Sequence, residues 1–208
     1  MTLKPRGMII VLASTSGGGK TKITNKLIEN DSNLVFSINA TTRDSRNGEI
    51  DGVHYSFLNN VAFDKKLNNG EFLVNFEVIG NKYGVPKIQT EDVLAEGNDL
   101  IVISGWAMHR DLRSVAGDDM FSIFIMPPSM ADLERRLLDR SISSEENLEN
   151  IKIRLAQAPE DMSHSEEFNY AVVNDDLNKA IAEIQNIIAN ERAQRSGIAS
   201  KFSAAPKI

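Results

Sequence analysis

The sequence predicts an α/β fold with a parallel sheet flanked by helices, and three observations point to it. Apolar runs suited to buried strands fall near residues 8–12, 34–38, 100–104, 121–126 and 170–173. Stretches of helical periodicity separate most of them, the pattern expected of right-handed crossovers between parallel strands. The first apolar run also leads through a loop of small residues directly into a helical pattern. A polar, turn-rich stretch from about residue 37 to 90 interrupts the alternation and reads as a strand-rich insertion.

Residues 8–27, MIIVLASTSGGGKTKITNKL, are strand, loop and helix in that order, with Ile23, Leu27 and Ile28 on one helical side. Loop amides without large side chains can converge on phosphate oxygens, and the helix N-terminus adds its positive dipole end. Lys20 supplies a mobile cation and Thr21 a hydroxyl placed for magnesium. The pattern G-x-x-x-x-G-K-[ST] is met at Gly19, Lys20 and Thr21 but missed at its first glycine, where Ser14 stands. A serine there would pay a conformational cost for positive φ, so a slightly different or slightly strained loop entry is expected. The bland alternative is a glycine-rich turn that only links a strand to a helix.

Composition narrows the classes. At 208 residues the chain suits one domain with a sizeable core, and 41% apolar with 25% charged residues is ordinary for a soluble protein. No apolar run approaches the ~20 residues that span a bilayer, and MTLKPRG lacks a secretory h-region, so the expected compartment is the cytoplasm with no membrane partner. The absence of cysteine excludes disulfides, a thiolate nucleophile and Cys-ligated metal sites. His54, His109 and His164 are scattered without metal-ligand spacing. A formal charge of −6 argues against a nucleic-acid partner, so any anion site must come from a few chosen Lys and Arg.

Further along, polar residues 30–33 break the first helix before the strand near 34–38. Arg43 and Arg46, three apart, together with Tyr55, fit equally a fork for a second phosphate and a solvated charged loop. Phe72, Val74, Phe76 and Val78 alternate onto one strand face and Glu71, Asn75 and Glu77 onto the other. A one-residue slip would exchange the two sets. Residues 92–98 read as a helix end and turn before the strand LIVISG. Trp106, the sole tryptophan, follows that strand where open parallel sheets place ligand-binding residues, and is either a pocket wall or a packed aromatic. His109 reads as an exposed polar helix residue. Residues 130–140 carry Leu133, Leu137 and Leu138 on one helical side and Arg136 and Arg140 on another. A C-terminal amphipathic helix over 177–188 is followed, beyond about Ala193, by a loose tail.

Several motifs recur in one order: Thr41-Thr42-Arg43, Arg46, Gly48-Glu49, Asp51-Gly52, Tyr55 and Phe57; then Pro127-Pro128-Ser129, Arg136, Arg140, Ser144-Glu145-Glu146, Arg154-Leu155 and Val172-Val173-Asn174-Asp175-Asp176-Leu177. With the phosphate loop, they resemble the guanylate kinase family over roughly residues 8–190. The resemblance implies a P-loop NTPase core over 1–36, 91–128 and 161–192, a strand-rich acceptor-binding insertion over 37–90, a helical lid over 129–160 and a tail over 193–208. It implies ATP as phosphoryl donor with Mg2+, ATP on Ser16, Gly17, Gly18, Gly19, Lys20, Thr21 and Asn174, and the metal on Thr21. Arg43, Arg46, Tyr55 and Tyr83 would hold the phosphate of a small phosphorylated acceptor, while Arg136, Arg140 and Arg154 with Lys20 would act on the transferring phosphates.

The base-reading positions depart from the family. Its guanine-binding glutamate falls on Val74, a base-contacting serine on Val85, another serine on Asn39, and the two acidic residues that serve magnesium and base on Ile103 and Gly105. Acceptor-binding candidates are therefore Asn39, Arg43, Arg46, Tyr55, Val74, Tyr83, Val85, Gly105 and Trp106. Three readings follow: a nucleoside monophosphate kinase acting on GMP, dGMP or a modified mononucleotide; a sugar-phosphate kinase of the ribose 1,5-bisphosphate phosphokinase kind; and a silent guanylate-kinase-like binding module. The TTR, GE and DG signature weighs against the second, and the surviving Gly19-Lys20-Thr21 against the third. Neither the acceptor's identity nor the oligomeric state is written in the sequence.

Overall fold

The structure, a computed structural model, describes residues 5–46, 48–78, 80–144 and 148–196, with side chains of the helical stretch up to 139 and again from 148. The chain opens with strand β1 (Ile9–Ser14), buried at all its residues, and helix α1 (Lys20–Asn30). Strands β2 (Leu34–Phe36), β3 (Ala40–Thr41) and β4 (Ser56–Phe57) precede helix α2 (Asn60–Asn68), whose first turn is capped by the Asn59 side chain accepting from Ala62 N–H. Then come β5 (Phe72–Val78), β6 (Asn81–Pro86), α3 (Lys87–Ala95), β7 (Asp99–Ser104), α4 (Trp106–Ala116) and β8 (Met120–Met126). Helices α5 (Met130–Ser144) and α6 (Leu148–Ser163), strand β9 (Tyr170–Val173) and helix α7 (Leu177–Arg195) complete it.

A five-stranded sheet runs in the order β2-β7-β1-β8-β9, with β2 parallel to β7 and β8 parallel to β9. Central strands of such sheets are covered on both faces and read as continuous apolar runs, which is why β1, β7 and β8 are legible as IIVLAS, DLIVIS and MFSIFIM. The predicted strand-rich insertion is a second sheet, β4-β3-β6-β5, in which β6 lies antiparallel to both β3 and β5.

Two compact units are distinguishable: Met1–Ile10, Asn33–Val102 and Ala107–Met120 form one, and Val11–Ser32, Ile103–Trp106 and Phe121–Ile208 the other. Within the first, Phe63 of α2 stacks on Phe72 at 4.7 Å, tying helix to sheet. Within the second, Leu133 and Leu137 of α5 pack with Ile151, Leu155 and Ala158 of α6 and close a helical hairpin.

Three local expectations need correction. Leu138 is exposed, because the apolar stripe of α5 turns with Leu133 and Leu137 toward α6. His109 is buried, since α4 turns Met108, His109 and Leu112 inward together. Helix α7 continues to Arg195, past both 188 and Ala193, because its last turns have partners: Tyr170 donates to Glu191 at 2.6 Å and Arg192 pairs with Asp31 at 2.6 Å. The rest of the predicted tail, 197–208, lies outside the described residues, as do Glu145 and Glu146. No helix among the described residues is long and apolar enough to cross a membrane.

Candidate active site

In the second unit the chain leaves β1 at Ser14 and re-enters helix at Lys20, so the loop between presents its amides at the N-terminus of α1. Left-handed backbone falls at Gly17 (φ 90°) and Gly19 (φ 102°), where glycine carries no steric penalty. Ser14 closes β1 in extended conformation, so of a different or a strained loop entry it is the unstrained one that is found. Its effect is one of packing instead. A Cβ placed on Gly18 would stand 1.7 Å from Ser14 Oγ, so with serine at the first position any larger residue at the fifth must push the hydroxyl aside. Among the described residues, Ser14 Oγ and Thr15 Oγ1 are buried in the loop without hydrogen-bond partners.

That coupling is testable. Gly18→Ala is expected to cost about 1–3 kcal/mol of stability through overpacking. Ser14→Gly in the same chain should restore most of it, because the two sites share one space. Thermal melts of the two single variants and the double variant decide the matter. Additive losses would show that Ser14 does not set the residue at 18.

Lys20 is folded back over the loop and donates to the carbonyls of Ser14 (2.7 Å) and Thr15 (3.3 Å). Burial pulls its ammonium down to about 8, and the carboxylate of Asp161 works in the opposite direction. Asn174, just after β9, donates from Nδ2 to Gly18 O at 2.9 Å and fixes the far side of the loop. Arg136 of α5 donates to the carbonyl of Asn174 at 2.8 Å, and Arg154 of α6 to Ser16 Oγ at 3.0 Å. Leu133 and Leu137 lie against Gly17, where a Cβ would meet Leu137 Cδ2 at 2.9 Å. The structure thus gathers Ser16, Gly17, Gly18, Gly19, Lys20, Asn174, Arg136 and Arg154 around one loop. The side chain of Arg140 lies outside the described residues. Gly105 is exposed, with open space where a Cβ would project, and Trp106 beside it stacks on His164 at 3.9 Å.

In the first unit, a different set converges. Arg43 Nη2 lies 3.0 Å from both carboxylate oxygens of Glu49, while Glu49 also accepts from the Arg46 backbone at 2.8 Å. Burial raises the Glu49 carboxyl, but these hydrogen bonds and the two arginine charges outweigh it and hold it below the usual carboxylate range. Arg43 also stands over the rings of Tyr55 and Phe57, at 5.4 and 5.7 Å. Tyr55 meets Tyr83 edge-on at 6.3 Å, and Tyr83 stacks on Phe76 at 5.1 Å. Burial and the neighbouring Tyr83 raise the Tyr55 phenol, which keeps it a neutral O–H donor. Arg46 itself is exposed.

Register in the second sheet is now settled. Val74 is paired directly with Val85, both buried, and Phe76 with Tyr83, whereas Glu77 is exposed opposite Lys82. The one-residue slip is therefore not adopted, and Glu77 does not join the buried face. Asn39 is buried with its Oδ1 accepting from Ser37 Oγ at 2.7 Å.

Comparison with known proteins bears on both constellations. The family model described as guanylate kinase matches residues 6–191. The chain belongs to the guanylate kinase family. It is 39% identical over 193 residues to the guanylate kinase of Sphingopyxis alaskensis, covering 93% of this chain and 86% of that protein. It is 40% identical to that of Rickettsia bellii, covering 93% and 99%. The crystal structure of guanylate kinase from Anaplasma phagocytophilum superposes with a TM-score of 0.76 at 34% identity, covering 92% of this chain and 89% of that one. With the family comes the enzyme class, an ATP-dependent phosphotransferase on a P-loop core. The sugar-phosphate-kinase and silent-module readings draw no support from these relatives.

For a guanylate kinase family member the magnesium question is sharp, because Ile103 offers no oxygen. Among the described residues no group of three or more His, Cys, Asp or Glu is placed to hold a metal. Magnesium usually keeps several waters and takes one or two protein ligands beside substrate phosphates. Thr21, exposed on the first turn of α1 next to Lys20, fits that sparse role; the ion would neutralise charge on the nucleotide phosphates there.

Two participants had no role in the sequence reading. Glu49 was visible only as part of a signature, yet it is the counter-ion that aims Arg43. Asp161 carried no motif at all. Burial raises its carboxyl, against the opposing charge of Lys20 and a hydrogen bond from Trp106.

Proposed function

We propose that this family member transfers a phosphoryl group from ATP to the phosphate of GMP, dGMP or a modified mononucleotide, through a base pocket that reads guanine weakly. The observation that carries the reading is the buried Val74–Val85 pair, two residues along the strands from Phe76–Tyr83 and so on the same face, where Arg43, Tyr55 and Tyr83 meet. Phosphate-binding chemistry is complete in that group. Base-reading chemistry beside it is apolar.

An acceptor phosphate is already an anionic nucleophile, so the protein needs no general base. Arg43 and the Tyr55 hydroxyl hold the acceptor's charge, with Glu49 keeping the guanidinium oriented. Lys20, Arg136 and Arg154 offset charge on the transferring group, and the loop amides cradle it. Guanine's N–H donors, set against valine, would lose their hydrogen bonds at ~1–3 kcal/mol each. That amounts to roughly 10²-fold in kcat/KM, leaving weak GMP turnover in place.

The test is kcat/KM for GMP, dGMP, other mononucleotides and ribose 1,5-bisphosphate with the wild type, Val74→Glu and Val74→Glu/Val85→Ser. The expected result is weak base discrimination by the wild type and a rise of ~10-fold or more for GMP in the variants. A wild-type value for GMP of ~10⁵ M⁻¹s⁻¹ or above would overturn the altered pocket and move base reading to Asn39 or backbone groups.

A further inference from the structure

Helix α6 presents one face to α5 and, through Arg154, to the phosphate loop. Ile151, Arg154, Ala158 and Asp161 recur at helical spacing, and of these Ile151 and Ala158 are buried while Arg154 bonds Ser16 Oγ at 3.0 Å. Asp161, two turns beyond Arg154, is half-buried and acts on Lys20 through charge. Between the two stands Pro159. A proline inside a helix has no N–H for the carbonyl four residues earlier, here Leu155, and its ring crowds that turn. The helix thus lacks one backbone hydrogen bond between its arginine and its carboxylate, where a contact from outside can steady its C-terminal turn.

Trp106 is positioned to supply that hold. Its ring lies against the imidazole of His164 at 3.9 Å and 22° between planes. Its indole N–H donates to Asp161. His164 is in turn fixed by Glu167, 2.6 Å from Nδ1. Asp161 and His164, three residues apart, therefore grip one tryptophan by its edge and its face. Trp106 begins α4, with Gly105 alone between it and the end of strand β7, and lies in the same compact unit as α6.

We propose that Trp106 is a positioning residue for phosphoryl transfer: by clamping Asp161 and His164 it pins the end of α6 so that Arg154 reaches the phosphate loop. Arg154 touches the reacting phosphates in this scheme, and Trp106 acts through it. The inference rests on the kinase reading but not on which base is read. Wild-type turnover with any mononucleotide acceptor tests that reading separately.

The experiment is steady-state kinetics on Trp106→Ala, Trp106→Phe, Asp161→Asn and Arg154→Ala, and on the Trp106→Ala/Arg154→Ala pair, with thermal melts of each. Trp106→Ala is expected to lower kcat by ~30-fold while leaving the acceptor KM within about threefold, the mark of a lost transition-state contact. Trp106→Phe, which keeps the ring against His164 but not the N–H, should lose less, and Asp161→Asn, whose amide oxygen still accepts from the indole but which removes the charge near Lys20, tests that charge separately. The double variant should be no worse than Arg154→Ala within about threefold, because one contact cannot be lost twice. Trp106 is the sole tryptophan, so His164→Ala should also change its emission directly, independent of turnover. Losses that multiply in the double variant would overturn the proposal. So would a rise in acceptor KM at unchanged kcat, which would make Trp106 a wall of the acceptor pocket. If Trp106→Ala does not fold, Trp106→Phe and His164→Ala, each paired with Arg154→Ala, carry the same comparison.

Discussion

Lys20→Ala is expected to reduce phosphoryl transfer by ~10³-fold or more while the protein keeps its fold, because the ammonium is the nearest mobile cation to the loop that cradles the donor phosphates. A factor of that size corresponds to about 4 kcal/mol of transition-state stabilisation. Among the described residues the Lys20 ammonium bonds the carbonyls of Ser14 and Thr15, so its removal leaves the buried strand β1 and the apolar face of α1 in place. Lys20→Met, which keeps the stem but not the charge, separates packing from electrostatics. Both variants should melt near the wild type and both should be inactive. Residual turnover above about a tenth of wild type in either would remove Lys20 from the reaction.

The second large effect concerns the acceptor. Arg43→Ala should raise the acceptor's KM by ~10²-fold and leave the KM of ATP nearly unchanged, since a charge-assisted bidentate contact contributes roughly 1.5–3 kcal/mol. Part of the loss comes from Glu49, which is held at 3.0 Å by Arg43 and would otherwise face an anionic ligand with Arg46 alone to offset it. Arg43→Ala/Glu49→Gln should therefore recover some acceptor affinity compared with Arg43→Ala alone. The check is initial-rate kinetics with each substrate varied in turn. Equal effects on both substrates would move Arg43 out of the acceptor site.

The sequence by itself determined the sheet and the loop, and the reason is that both are specified locally. A strand covered on both faces must be apolar at successive positions, so IIVLAS, DLIVIS and MFSIFIM announce themselves without reference to any partner. The spacing from Ser14 to Thr21 is likewise a property of a few consecutive residues, since loop amides and the helix N-terminus are chain neighbours. Tertiary structure decided whatever depends on residues far apart in the chain. That Ser14 displaces strain with packing was visible only once its Oγ was found where a Cβ of Gly18 would stand. That Val74 is buried and Glu77 exposed was decided by the pairing of β5 with β6, because alternation alone leaves the two strand faces equivalent. The extra turns of α7 depend on Tyr170 and Asp31, which no local propensity reports. Asp161 and His164 lie more than fifty residues from Trp106, and only the fold brings their carboxylate and imidazole to one indole. Periodicity carries which residues face inward; it does not carry whom they meet there.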